Sequence, residues 1–147
     1  MRALVALLVL VLTGCPPPLY VDIHNNTGEL VEIVSKKATW RLPAGTNLKI
    51  EGTDLFQYWA KSERDGLGWP YLCVRIGAME LEYRFAFVRG SEFVPSPGPW
   101  INVVQIEKSG RILAVKFGAD RPVPADSPQP EQFPLEPSRN CDPKRAN

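Results

Sequence analysis

The sequence predicts an all-β chain: a small antiparallel β-sandwich with a Pro-rich C-terminal tail, the alternative being a small barrel. Three observations carry this. Short segments alternate apolar and polar side chains with a period of two, which marks strands buried on one face. Gly, Pro, Asn and Asp break the alternation every few positions, as turns between strands do. After Cys15, no window of 11 residues carries a convincing apolar stripe at i, i+3, i+4 and i+7, the spacing of an amphipathic helix.

The first strand is expected at 20–24, with Val21 and Ile23 on one face. A second follows at 30–34, with Val31 and Ile33 sharing a face. The turn cluster Asn25-Asn26-Thr27-Gly28 separates them. A three-residue loop at 26–28 makes the pair a hairpin in which Ile23 opposes Val31 and Val21 opposes Ile33. A loop of two or four residues would set apolar against polar side chains. Gly28 supplies the left-handed residue on which such a loop ends. Further strands are expected at 39–42 and 47–51, split by the turn Pro43-Ala44-Gly45. Segment 55–62 contains Phe56, Tyr58 and Trp59 and is apolar on both faces, which predicts a central or covered strand.

Segment 63–70 reads as a loop, with Asp65-Gly66 and Trp69-Pro70. In 71–77, Leu72, Val74 and Ile76 face inward while Cys73 and Arg75 face out. The clearest strand is 80–89: Leu81, Tyr83, Phe85 and Phe87 line one face, and Glu80, Glu82 and Arg84 begin the other. The prolines of 94–99 make it a loop. Segments 101–107 and 111–117 form a hairpin around Ser109-Gly110. With a two-residue loop, Ile106 meets Leu113 and Val104 meets Val115. About eight or nine short strands of this kind make a sandwich or a small barrel. From 119 onward the chain changes character. Seven prolines fall among the 29 residues of 119–147, with too few apolar side chains to fold alone.

Ahead of the strands, Arg2 precedes an apolar run at 3–12, and Pro16, Pro17 and Pro18 stop any helix after Cys15. The run suits a signal peptide and is far shorter than the roughly 20 residues that cross a bilayer. Its end, Leu12-Thr13-Gly14-Cys15, resembles the lipobox of bacterial lipoproteins, complete over those four positions. The resemblance implies a diacylglyceryl thioether on Cys15, cleavage before it and acylation of the new amine. Two or more acyl chains make a stable anchor. Pro16 stands where lipoproteins kept at the inner membrane often carry Asp. By resemblance, the address is the outer membrane, facing the periplasm. The expected organisation is a signal peptide at 1–14, a lipidated tether at 15–18, a β domain at 19–118 and the tail at 119–147.

Without residues 1–14 the chain loses only Arg2 from its 17 basic residues, leaving 16 against 16 acidic ones. Nucleic-acid binders carry a basic excess, so no nucleic-acid partner is expected. With no polybasic cluster, the lipid on Cys15 is the expected membrane contact. Assigning Cys15 to lipid leaves Cys73 and Cys141, which are expected to pair in an oxidising compartment and so tie the tail back. Two free thiols, or a bond to another chain, are the alternatives.

No catalytic, metal or cofactor site is expected. His24 is the single histidine and reads as a surface residue. Metal sites and Ser or Cys nucleophile sites need more partners than it has. Asp54, Glu63, Asp65, Glu80 and Glu82 read as scattered surface acids, and Gly66-Leu67-Gly68 lacks the lysine and helix of a phosphate loop. Asn25-Asn26-Thr27 fits a glycosylation sequon. Of the four tryptophans, Trp69 and Trp100 lie beside prolines in expected loops and form the candidate recognition surface, with core packing as the alternative. The expected function is a lipid-anchored envelope protein that binds or scaffolds an envelope protein partner through loops or a sheet edge. The alternatives are a periplasmic ligand binder or inhibitor of an envelope hydrolase, and last an enzyme.

Overall fold

The computed structural model describes residues 19–35, 37–55, 58–61, 68–87, 92–93, 100–138 and 140–141. In chain order these form β1 (Leu19–Asn26), β2 (Val31–Val34), β3 (Thr39–Leu42), β4 (Asn47–Glu51), a single helical turn α1 (Gly52–Leu55), β5 (Tyr58–Lys61), β6 (Gly68–Ile76), β7 (Met79–Arg84), β8 (Trp100–Glu107) and β9 (Ile112–Ala114). Two sheets pack face to face as a β-sandwich, not closed into a barrel. The first has the order β4-β1-β8-β9. The second has the order β3-β2-β6-β5, with β7 also paired to β6. Strand β6 serves two partners in turn: its first half pairs with β5 and its second with β2, while β7 takes the opposite side.

The alternation read from sequence selects the buried faces. Val21, Ile23, Val31, Ile33, Leu72, Val74, Tyr83 and Phe85 are all at or below 1 % exposure and meet between the sheets. Their pairing differs from the expected hairpin. β1 pairs with β4 and β8, β2 with β3 and β6, so Ile23 and Val31 lie on opposite sheets. The 27–30 connection crosses the sandwich instead of closing a hairpin. Both arrangements bury the same four side chains, which is why local pattern cannot separate them. Turn Pro43-Ala44-Gly45 likewise carries the chain from β3 in one sheet to β4 in the other.

One ladder departs from antiparallel pairing. β1 and β8 run parallel, from Leu19↔Trp100 to Asn26↔Glu107. Within segment 55–62, expected as a central or covered strand, Leu55 ends α1 and Tyr58–Lys61 form β5, which pairs only with β6 among the described residues. The β8–β9 hairpin has the expected strands in a different register: Ile106 opposes Ile112 and Val104 opposes Ala114. Glu107 N donates to Arg111 O, so three residues, Lys108 to Gly110, close the turn. Gly110 at φ +86° is the left-handed residue that such a turn requires.

The described part of the tail binds the sandwich at several points. On the outer face of the first sheet, Val103, Leu113 and Val115 are buried although they point away from the core. Tail residues cover this face. Arg121 is paired to Asp22, with Nη1 3.0 Å from Oδ1 and Nη2 donating to Oδ2 at 3.2 Å. Gln105 Nε2 donates to Val123 O and Val123 N donates to Gln105 Oε1, both at 2.8 Å, so a side-chain amide replaces one step of a backbone ladder. Phe133 and Leu135 then enter the core cluster. Cys141 forms a disulfide with Cys73 on the outer face of the second sheet, with Cα atoms 5.8 Å apart.

Candidate functional site: sealed and open sheet edges

Each sheet ends in strands whose outward N–H and C=O groups need partners. Register decides which residues present them. Val115 N donates to Val103 O and Glu107 N to Arg111 O, so residues 111, 113 and 115 turn toward β8 while Ile112 and Ala114 turn outward. The tail takes both. Ile112 and Leu135 exchange hydrogen bonds of 3.0 and 2.8 Å. Gln129 Oε1 accepts from Ala114 N at 2.8 Å, and its Nε2 donates to Ala114 O at 3.3 Å. On β7, Glu82 O accepts from both Ser138 N and Ser138 Oγ. One tail thus takes the outward groups of Ile112 and Ala114 on β9 and the Glu82 carbonyl on β7.

The β3 and β4 edges differ. Ser35 N donates to Ala38 O, which closes the β2–β3 turn and fixes parity: Trp40 and Leu42 turn their backbone groups to β2, whereas Thr39 and Arg41 turn theirs outward. Asn25 N donates to Thr46 O, so in β4 the outward residues are Asn47, Lys49 and Glu51. Among the described residues, no strand lies on the outer side of β3 or β4.

Charge on the outer face of the second sheet is ordered. Glu80, Arg75, Glu32 and Arg41 stand in one cross-strand row on β7, β6, β2 and β3. Their signs alternate. Arg75 Nε is 2.7 Å from Glu80 Oε1, Arg75 Nη1 is 3.9 Å from Glu32 Oε2, and Arg41 Nε is 3.0 Å from Glu32 Oε1. A shallow hollow lined by Glu29, Leu30, Glu32, Arg75 and Gly77 flanks the row. Arg41 ends the row at the open edge, its side chain 74 % exposed.

Other residues singled out from the sequence fall as follows. Cys15 and its lipobox, Glu63, Asp65 and Gly66-Leu67 lie outside the described residues. Trp69 and Trp100, expected in loops, are strand residues: Trp69 in β6 opposite Ala60, Trp100 at the start of β8 opposite Leu19. Their side chains lie outside the described part. His24 is not on the surface. It is 4 % exposed, with Nδ1 2.6 Å from Asn47 Oδ1. Asn25 is fully buried and donates to Glu29 O and Leu42 O, which leaves no room for a glycan. Asp54 pairs with Lys37 and Glu80 with Arg75. Glu82, expected among surface acids, is fully buried, and the tail's Ser138 donates to its backbone oxygen.

Among the described residues, no group of three or more His, Cys, Asp or Glu is placed to hold a metal, and no helix is long and apolar enough to cross a membrane. The sealing tail and the charged row were missed in the sequence because each depends on strand order. Compared with protein families, with characterised proteins and with solved structures, the chain matches none.

Proposed function

We propose that the chain is a lipid-anchored lipoprotein of the cell envelope, held at the outer membrane and facing the periplasm. In this reading its sandwich is a binding or scaffolding module, not an enzyme, and it docks an envelope protein through open sheet edges. The observation that carries the docking mode is the asymmetry of the edges. Gln129 and Leu135 close β9 and Ser138 takes the Glu82 carbonyl of β7, while Thr39, Arg41, Asn47 and Lys49 turn their backbone groups to a side where no strand lies among the described residues. Strand addition to such an edge is a common recognition mode. The address rests on Leu12-Thr13-Gly14-Cys15.

A second reading is a ligand binder or inhibitor of an envelope hydrolase using Trp69 and Trp100. It is favoured by their backbone positions at the starts of β6 and β8, which both begin at the pole where β1 begins.

Mass spectrometry of the mature N-terminus tests the address: an unmodified Cys15, or a chain still beginning at Met1, refutes it. A photocrosslinking residue tests the mode. Placed at Arg41 or Lys49 in intact envelopes it should give a discrete adduct, and at Lys116 or Glu131 none. The reverse pattern overturns docking through the open side.

A further inference from the structure

We infer that the outer edge of β3 accepts an extended acidic strand, with a carboxylate seated opposite Arg41. The inference rests on the edge-docking reading above and names the edge and the chemistry of its partner.

Three features of β3 converge. First, Thr39 and Arg41 present two outward N–H and two outward C=O groups, enough for the exchange that pairs a three-residue stretch of a new strand. Second, the row Glu80-Arg75-Glu32-Arg41 alternates in sign and stops on a cation. A strand added to β3 places one residue directly opposite Arg41, on the same outer face, and a carboxylate there continues the alternation. Directly opposite pairs of unlike charge stabilise a sheet, and like pairs oppose it. The guanidinium has five N–H donors. Among the described residues its Nε donates to Glu32 Oε1, and the flat fork matches a second carboxylate. Third, Trp40 between them turns inward and is only partly buried. The residue facing it on an added strand therefore meets an indole, which favours an apolar side chain. The pattern sought is alternating acidic and apolar.

The alternatives fit less well. A second copy pairing in register on Arg41 would set two arginines opposite one another and would bring Thr39 opposite Pro43, which has no N–H to donate. Sliding that pair by two places Arg41 opposite Thr39 and leaves the row without its carboxylate. Edge β4 carries a shorter row: Lys49 stands opposite Asp22, which Arg121 already pairs, Lys49 itself lies over the Tyr20 ring at 4.6 Å, and the strand gives way at once to α1.

The test uses the disulfide-intact protein and two blocked nine-residue peptides, one alternating valine and glutamate, the other valine and lysine. NMR-detected hydrogen exchange follows the edge amides during titration. The glutamate peptide should slow exchange at Thr39 and Arg41 and bind about tenfold more tightly than the lysine peptide. Raising the salt should shrink that ratio. Arg41→Glu should invert the preference; it sets two carboxylates opposite each other at Glu32, so a modestly lower melting temperature is expected and binding is compared where both proteins are folded. Thr39→Pro, tolerated on an edge strand, should weaken both peptides. Equal binding of the two peptides overturns the inference, as does an unchanged preference in Arg41→Glu. Protection at Lys49 and Glu51 in place of Thr39 and Arg41 overturns the assignment to β3 while leaving edge docking standing. Absence of protection at either edge, with a photocrosslinked adduct still formed at Arg41, refutes the strand mode and keeps the open-side reading.

Discussion

The hydroxyl of Tyr83 donates to the backbone carbonyl of Gly110, fastening β7 of the second sheet to the β8–β9 turn of the first. Tyr83 is fully buried. Burial pushes its hydroxyl well above the ordinary tyrosine range, and the negative charge of Glu136 adds to the effect. The folded protein therefore holds the neutral phenol, whereas the unfolded chain ionises near pH 10. The contribution is complete below about pH 10 and is lost as pH rises beyond it. Tyr83→Phe should cost about 1–2 kcal/mol at neutral pH by leaving the Gly110 carbonyl without its donor. Denaturant midpoints of the two proteins should converge above pH 10; a gap that stays constant to pH 12 refutes this account.

Gly110 should tolerate a side chain less well than Gly28, because the end of Leu81 must move aside. A Cβ built there lies 2.7 Å from Leu81 Cδ1, at φ +86°. At Gly28, with φ +81°, nothing lies within 4 Å. Gly28→Ala should therefore cost only the left-handed backbone strain, about 1 kcal/mol, and Gly110→Ala distinctly more. Thermal unfolding of both variants decides the order.

Gln129→Ala removes both hydrogen bonds to Ala114 without touching the core. A cost of about 1–2 kcal/mol is expected. The sharper readout is local: the Ala114 amide should exchange faster while that of Val104, at the centre of β8, keeps its rate. Unchanged exchange at Ala114 would show that the tail does not seal this edge.

The Cys73–Cys141 disulfide spans a sequence separation of 68. Chain entropy for a loop of that size gives about 4 kcal/mol as an upper figure. Non-reducing peptide mapping should recover both cysteines in one linked fragment, and Cys141→Ser should lower stability by no more than this amount. Labelling of two free thiols without reductant would refute the pairing.

Phe85 is fully buried and stacks edge-on against Phe87 at 5.5 Å, while Arg84 is exposed. Phe85→Ala should cost about 3–5 kcal/mol and Arg84→Ala little. Similar unfolding midpoints for the two would contradict the face assignment.

What the sequence made legible is the local part of the fold. Side-chain alternation is a property of neighbouring residues, so the inward faces at Val21 and Ile23, Leu72 and Val74, and Tyr83 and Phe85 were readable, as was the outward direction of Cys73. Pairing is not local. Ile23 and Val31 satisfy burial equally as hairpin neighbours or across two sheets, and only the competing partners β4 and β8 decide. Burial on outer faces was also illegible. Glu82 looks like a solvent-facing position until the tail is laid beside it, and His24 until Asn47 of β4 comes beside it; Leu113 is set against Ile106 by a two-residue loop, and the longer turn moves it to the outer face, where the tail lies. The Arg41 row needs four strands in one order before its charges align.

The parallel ladder between β1 and β8 sets the terms on which this molecule assembles. Leu19 meets Trp100 and Asn26 meets Glu107, contacts between residues 81 positions apart. Until β8 is available, β1 has only β4 beside it in its sheet, and a lone two-stranded ribbon is marginal in water. Pairings of such long separation are closed late and slowly, because the intervening chain must be ordered before they are rewarded. The first sheet therefore cannot mature piecemeal from its leading strand. A fragment ending before β8 should populate collapsed forms without a fixed register, whereas the chain through β9 should order both halves of that sheet in one cooperative step.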